Sequence, residues 1–181
     1  ECLPLEAAPA MRPEAELANL QLRKESRIEA LLKSAEFSCS DAATTEAFHW
    51  ILASVDALLV RAPEMGIWAG LPWFDDLWGR DTFISLPGAL LSTGRFDEAL
   101  HVLEAFAARM DTARTSLTYG RIPNRVQPGE VIYNTVDGTP WMMLSLWKYY
   151  EYSGDRAALR RLFPVVQASI NGSLARTDGR G

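Results

Sequence analysis

The sequence contains few of the residues that build disulfide frameworks or metal centres. Two cysteines, Cys2 and Cys39, and two histidines, His49 and His101, occur among its 181 residues. A single cysteine pair cannot make a disulfide framework, and these four positions lack the clustered spacing of a zinc motif. The chain is therefore predicted to fold without a metal site.

Long apolar runs and an excess of positive charge are missing as well. No stretch approaches the roughly 18 apolar residues of a membrane span, and residues 1–6 lack the basic flank and apolar run of a signal peptide. The 18 Lys and Arg against 23 Asp and Glu give a formal net charge of −5. Nucleic acids and anionic membranes attract basic surfaces. We therefore expect a cytoplasmic protein with no nucleic-acid and no membrane partner.

Tryptophan is what the sequence has in unusual number. It contains six, and Trp68, Trp73 and Trp78 fall within eleven residues. The length and a 48% hydrophobic content are enough to bury the core of one globular domain. Trp50 and Trp147 are predicted to pack in that core.

Helical periodicity dominates the rest of the chain. Residues 1–40 are predicted to be a Pro- and Ala-rich tail followed by an amphipathic connector helix. From residue 41 to 181, apolar spacing predicts five helices, with Asp41, Asp81 and Asp155 as N-caps and Gly94 as a stop. They cover about 41–61, 81–93, 96–110, 137–153 and 155–177. Only 121–133 could hold short extended pieces, so the predicted fold class is all-α.

Short and long connections alternate between these helices. The links at Gly94 and Gly154 are short, whereas the first long loop (62–80) and the second long loop (111–136) are extended. This alternation is typical of a helical-hairpin repeat whose loops are enlarged on one face. Enlarged loops on a rigid scaffold usually carry function.

Aromatic and charged residues are interleaved around the end of the first long loop. Trp73 and Trp78 precede Arg80 and Asp81. Indole faces stack on the C–H patches of a pyranose, and charged bidentate groups hold its hydroxyl pairs. The pattern therefore indicates a sugar site. Core packing of the rings and a simple N-cap role for Asp81 are the alternatives.

The second long loop offers a matching polar set: Asn124, Arg125, Asn134 and Asp137. These residues precede the helix that carries Trp141, so we expect them on the same face as Arg80 and Asp81. Asp137 as a helix cap, and Asn134 and Arg125 as loop-stabilising hydrogen bonders, remain the alternatives. Glycoside cleavage ordinarily needs two carboxyl groups. The sequence does not select a pair among its candidates, which are Asp75, Asp76, Asp81, Glu130 and Asp137.

Three motifs carry a resemblance to a known family. They are Pro72-Trp73-Phe74 with Trp78-Gly79-Arg80-Asp81-Thr82, then Ile122-Pro123-Asn124-Arg125, and then Tyr133-Asn134-Thr135-Val136-Asp137. In order and spacing they resemble the C-terminal amylo-alpha-1,6-glucosidase domain of glycogen debranching enzymes. The likeness covers about residues 45–178.

The resemblance implies an (α/α)6 toroid, of which about the first five helices are present, the second and fourth of them inner. It implies a glycoside hydrolase that cleaves alpha-1,6-linked glucose from glycogen-type alpha-glucans with inversion and without a cofactor. The substrate-binding residues would be Trp73, Trp78, Arg80, Asp81, Asn124, Arg125, Asn134, Asp137 and Trp141. The catalytic acid and base are expected C-terminal to Gly181, so the chain alone is predicted to be inactive.

Two other functions stay open. The chain could belong to a toroid glucosidase of a related clan that acts on another alpha-glucosidic substrate, such as trehalose or an oligosaccharide. It could also be a helical-hairpin interaction scaffold whose Trp loops form a peptide groove. The expected partner is an alpha-glucan or oligosaccharide substrate. Self-association, or a second chain that completes the toroid, is the further partner hypothesis.

Overall fold

A computed structural model describes residues 13–35, 37–61 and 65–177, with the side chain of Asp75 left out. Most of the predicted tail, Cys2 and the Asp75 carboxyl lie outside the described residues. The chain divides into two compact units, Glu1–Leu52 and Ala53–Gly181. The helices of the described part are α1 Glu14–Ser34, α2 Ala42–Leu58, α3 Gly79–Ala89, α4 Phe96–Ala107, α5 Gly138–Ser153 and α6 Arg156–Arg176. The strands are β1 Leu59–Val60, β2 Gly66–Gly70, β3 Phe74–Trp78, β4 Arg125–Gln127 and β5 Glu130–Ile132.

The first unit contains the connector helix α1 and the start of α2. The Asp41 carboxylate accepts hydrogen bonds from the backbone N–H groups of Ala43 and Thr44, both at 3.2 Å. These bonds satisfy two donors that a helix start leaves open, which confirms the predicted N-cap. Trp50 was expected to pack in the core, but its side chain is exposed.

The second unit has a helical core in which α3 packs against α5 and α4 packs against α5 and α6. Phe83 of α3 and Phe106 of α4 meet edge to face, with ring centroids 4.9 Å apart. The Ser145 hydroxyl of α5 donates a 2.7 Å hydrogen bond to the carbonyl of Phe83. Burial of these side chains removes apolar surface from water and fixes the two helices that carry the polar loops.

The two short helix connections have the predicted chemistry. Gly94 follows a short 3-10 helix, Leu91–Thr93, and Gly154 follows α5, both with positive φ (72° and 68°). That left-handed conformation is favourable for glycine because it lacks a Cβ. Asp155 then caps α6 by accepting a 2.9 Å hydrogen bond from the Ala158 amide.

The predicted all-α class is correct for the helical majority but misses a sheet. The five strands form one antiparallel sheet in the order β1-β2-β3-β4-β5, and only β4 and β5 fall in the segment proposed to be extended. Each strand has two to five residues, which is too short for an alternating pattern to stand out in sequence. The pairing of Leu77 with Val126 and of Trp78 with Arg125 joins the two long loops.

The start of α3 depends on this sheet and differs from the prediction. The helix begins at Gly79, so Trp78 occupies the N-cap position and Asp81 lies in the first turn instead of capping it. The Gly79 amide donates a 2.7 Å hydrogen bond to the Asn124 carbonyl. A Cβ at Gly79 would lie 2.3 Å from the Pro123 carbonyl oxygen. Glycine therefore lets the second long loop approach the helix end closely.

The buried face of α5 is also rotated from the predicted one. Trp147 is predicted to pack in the core, whereas the buried side chains of α5 include Met142, Leu146 and Tyr149. Trp147 is exposed, so its predicted packing role is wrong in this structure. Both faces of α5 are apolar, and periodicity alone could not tell which one meets α3.

No helix within the described ranges is both long enough and apolar enough to cross a membrane.

Candidate functional site

The two long loops meet at a charged pair between helix starts. Arg80 lies in the first turn of α3, and Asp137 occupies the N-cap position of α5. The guanidinium donates twice to the carboxylate: Nε lies 2.8 Å from Oδ2, and Nη2 lies 2.8 Å from Oδ1. The side chains are 46% and 41% exposed. The expectation that these residues project on one face is thus met by a direct contact.

Pairing fixes the charge of both groups. The hydrogen bond from Arg80 holds the pKa of the Asp137 carboxyl below its usual value, and the same bond raises the pKa of Arg80. Asp137 makes no side-chain hydrogen bond to cap α5. Its carboxylate is instead held by Arg80 of the neighbouring helix. Asp137 therefore stands at the N-cap position, as the alternative predicted, but its side chain does not cap the helix.

A second cation lies over an indole. The Arg125 guanidinium carbon is 5.2 Å from the Trp78 ring centroid, a cation–π distance. The same guanidinium donates from Nε to the Asp76 carboxylate at 2.8 Å, and its Nη2 also contacts that carboxylate. Trp78 is half-buried. One face of this ring is therefore occupied by a protein cation.

Asn124 and Asn134 are joined by a hydrogen bond between their side chains. Asn124 is 5% exposed, and its side-chain amide donates a 2.9 Å hydrogen bond to the side-chain oxygen of Asn134. Its backbone amide donates to the Ile132 carbonyl at 2.7 Å. Asn124 is accordingly a loop-fixing residue in this structure, while Asn134 is exposed and presents its remaining polar atoms to solvent.

Asp81 faces another part of the surface from its neighbour Arg80. It lines a pocket of about 290 Å³ together with Trp68, Ile84 and Ser85. Trp68 had no assigned role in the sequence, and the pocket gives it one as a wall beside a carboxyl group. Arg80 and Asp81 therefore open onto different parts of the surface, although the sequence predicted them on one face.

The remaining predicted aromatic residues differ in accessibility. Trp73 lies in the turn between β2 and β3 and is 82% exposed. Trp141 is partly buried and packs against the hydrophobic core. Trp73 is open to a ligand from solvent, whereas much of Trp141 is already covered by protein.

Asp76 is the partner that the sequence interpretation did not identify, although it was among the candidate carboxyls. It stands two residues before Trp78 on β3, so both side chains leave the same face of the strand. Arg125 pairs opposite Trp78 and reaches both. Recognition of β3 and β4 as partners would have predicted this contact.

A protein metal site ordinarily needs three or more ligating side chains close together. Across the described residues, no group of three or more His, Cys, Asp or Glu side chains is arranged to hold a metal ion.

The helical unit thus presents indoles, amides and arginine-bound carboxylates together on its two long loops. The chain matches the amylo-alpha-1,6-glucosidase family over residues 50–178 and belongs to that family. It is 44% identical over 97 residues to the glycogen debranching enzyme of Saccharomyces cerevisiae. This alignment covers 51% of the chain and 6% of the yeast protein. No solved structure gives a significant match.

Proposed function

We propose that the chain is part of a debranching-type glycoside hydrolase. The parent protein would release alpha-1,6-linked glucose from glycogen-type alpha-glucans with inversion at the anomeric carbon. Family membership over residues 50–178 and the similarity to a glycogen debranching enzyme support the reaction class. The observation that carries the proposal is the exposed Arg80–Asp137 pair at the meeting point of the two loops.

The pair is suited to sugar hydroxyls because it is held in place before a ligand arrives. The two hydrogen bonds from Arg80 use one lone pair on each oxygen of the Asp137 carboxylate. The other lone pair on each oxygen stays free to accept a hydrogen bond from a ligand. A vicinal diol can donate to Asp137 and accept from Arg80 without moving either side chain. Trp73, which is open to solvent, offers an apolar face on which a pyranose ring would stack.

The same contacts argue for binding roles over acid catalysis. A general acid in a glycosidase needs a raised pKa, but the pKa of Asp137 is lowered by Arg80. Asp76 is paired with Arg125, and Glu130 contacts Gln127. These contacts favour binding or structural roles for the three carboxylates. Following the family resemblance, we propose that the acid and base lie C-terminal to Gly181, and we expect this chain alone to release no glucose.

An (α/α)6 toroid is the architecture that we propose for the parent domain. Helices α3 and α5 would be inner helices, with the polar loops at their N-terminal ends, and α4 and α6 outer ones. Exposed apolar side chains on α5 and α6 support this, because further helices would cover them. They are Leu144, Trp147, Phe163, Ile170 and Leu174. Without those helices, the same surface would favour self-association or a completing chain.

Calorimetric titration with a branched alpha-1,6 oligosaccharide tests the binding role. Arg80→Ala and Asp137→Ala should each abolish measurable binding, because each removes one member of the charged pair that would hold the hydroxyls. Arg161→Ala is the matched control, since this exposed arginine pairs with Glu104 away from the loops. Unchanged binding in both loop variants would favour the interaction scaffold instead.

Substrate choice is tested on the full-length parent. Hydrolysis rates on alpha-1,6, alpha-1,4 and alpha-1,1 linked glucosides should be highest for the alpha-1,6 linkage, and the first product should be beta-glucose if the reaction inverts. A preference for the alpha-1,1 linkage would point to a related glucosidase, and glucose release by residues 1–181 alone would refute the assignment of the acid and base.

A further inference from the structure

A separate pocket lies beyond Asp137, between the second long loop, the start of α5 and the end of α6. Its volume is about 300 Å³, and Arg121 and Arg176 lie on its wall. Thr139 and Ser173 add hydroxyl groups, and Pro140 adds an apolar surface. The volume corresponds to about ten water molecules, which exceeds what one small ion fills.

Both arginines are held by backbone carbonyls. Arg121 Nη1 donates to the Tyr133 carbonyl at 3.1 Å, and Arg176 Nη1 donates to the Tyr119 carbonyl at 2.5 Å. Tyr119 itself is pressed against α6: a Cβ at Gly172 would lie 2.0 Å from its carbonyl oxygen. The two guanidiniums are thus positioned by a close backbone crossing.

Neither guanidinium is paired with a carboxylate among residues 13–35, 37–61 and 65–177. Burial and the positive charge of Arg121 together lower the pKa of Arg176. By contrast, the guanidiniums of Arg80, Arg95 and Arg125 each contact a carboxylate. Two like charges that share a pocket repel each other until an anion enters between them.

The start of α5 adds to this positive potential. The helix has 16 residues, and its N-terminal turn, with Thr139 and Pro140, lines the pocket. Helix N-termini favour anions through their free amides and the helix dipole. The Thr139 hydroxyl accepts a 2.9 Å hydrogen bond from the Ile122 amide, which leaves its own proton available to a ligand oxygen.

We propose that this pocket binds a phosphate group, either as free phosphate or as a phosphate monoester. Guanidinium forks match the oxygen spacing of phosphate, and the Thr139 hydroxyl adds a further donor. The site stands apart from the Arg80–Asp137 pair, and it does not depend on the glucosidase proposal.

NMR titration of the 181-residue chain at constant ionic strength and neutral pH tests this. Inorganic phosphate and glycerol phosphate are the two probes, and acetate is the planar anion for comparison. Saturable shifts at Arg121, Thr139 and Arg176 are expected with phosphate. A response to both phosphates identifies the monoester as a fitting ligand, and a response to inorganic phosphate alone identifies the free ion.

Variants decide whether the two arginines are responsible. Arg121→Gln and Arg176→Gln should each weaken phosphate binding by about ten-fold or more, the factor that loss of a charged contact gives. Arg160→Gln, an exposed arginine on α6, should leave it unchanged. Arg121→Lys keeps the charge but loses the fork, so it supplies a folded variant with intermediate affinity if the glutamine forms unfold.

Three results would overturn the proposal. They are equal weakening by Arg160→Gln, unchanged binding in both pocket variants, and acetate binding as tight as phosphate with the same variant dependence. Oligosaccharide binding should be the same in Arg121→Gln as in the unmodified chain, so failure of the phosphate site is distinguishable from failure of the sugar site.

Discussion

Two arginine–carboxylate clusters in the second unit show how the same chemistry serves different ends. The exposed pair, Arg80 with Asp137, has side chains 46% and 41% accessible. The buried network joins the end of α2 and the segment after β1 to the start of α4. It consists of Asp56, Arg61, Arg95 and Glu98. At its centre, the side chains of Arg95 and Asp56 are 8% and 2% exposed.

The difference lies in what surrounds each charge. Asp56 Oδ1 accepts from Arg61 at 2.5 Å and from Arg95 at 3.1 Å, so these charges meet away from solvent, while Arg95 Nη1 is buried without a hydrogen-bond partner among the described residues. The exposed pair is bidentate, and water reaches both of its members. A buried ion pair is costly to break, whereas an exposed one adds little stability. The network is therefore structural, and the pair is free to exchange water for a ligand.

The largest expected effect is from Asp56→Ala. Removal of this buried carboxylate takes a partner from both Arg61 and Arg95 and leaves Arg95 with Glu98 as its remaining counter-charge. We expect a loss of about 3–5 kcal/mol in the free energy of unfolding. Urea unfolding followed by circular dichroism measures it. Glu104→Ala breaks the exposed pair with Arg161 and should cost about 1 kcal/mol or less. Equal losses in the two variants would remove the distinction between the clusters.

Gly79→Ala tests the backbone contact that places the exposed pair. The new Cβ would lie 2.3 Å from the Pro123 carbonyl oxygen, and such overpacking costs about 1–3 kcal/mol. Gly88→Ala is the control in the same helix, because no atom lies within 4 Å of its added Cβ. It should stabilise the protein by about 0.5–1 kcal/mol. Opposite signs in thermal unfolding are the expected result.

A double-mutant cycle on Arg80→Ala and Asp137→Ala tests whether the exposed pair contributes to stability as the buried network does. Their coupling energy in unfolding should be small, since both groups are solvated. Oligosaccharide binding should nevertheless be lost in each single variant. A coupling energy as large as that between Asp56 and Arg95 would make the pair structural and contradict its assignment as an open site.

The smallest expected difference between the buried network and the exposed pair is in how their contributions to stability depend on pH. Burial raises the pKa of Glu98, but hydrogen bonding and the charges of Arg95 and Arg61 lower it overall. A lowered pKa contributes stability that is complete above the unfolded value, about 4.3, and is lost as pH falls through the folded value. The stability gap between the unmodified chain and Glu98→Gln should therefore shrink in acid.

Asp137→Asn supplies the comparison for that measurement. Arg80 lowers the pKa of Asp137 too, so its contribution disappears in the same direction, but both partners are exposed and screened by water. Denaturant midpoints recorded across the acidic range should show a clear pH trend for the Glu98 difference and a nearly flat one for Asp137. A larger trend for Asp137 would contradict the ranking.

Local patterns sufficed for features that depend on neighbouring residues. Asp41 and Asp155 cap their helices as predicted because capping involves amides two or three positions away. Gly94 adopts the left-handed conformation that ends a helix. Asp81 failed as a cap because the helix start is set by the Asn124 carbonyl, 45 positions further along the chain.

Contacts between distant segments could not be read in the same way. The spacing of Asp76 and Trp78 has meaning only once β3 pairs with β4 and places Arg125 opposite. The phosphate pocket draws Arg121 and Arg176 from segments far apart in sequence. Neither arginine belongs to a motif of its own, so no local signal distinguishes it.

The sequence by itself determined the helices, their caps and stops, the two enlarged loops and the family to which the chain belongs, because periodicity and motif spacing are local properties. Tertiary structure alone decided which carboxylate each arginine binds and which face of α5 is buried. Pairing of short strands and burial depend on groups brought together from across the chain, and their energies are fixed by distance and solvent exposure. The fold therefore decides which arginine–carboxylate contacts form a buried network and which form an exposed pair.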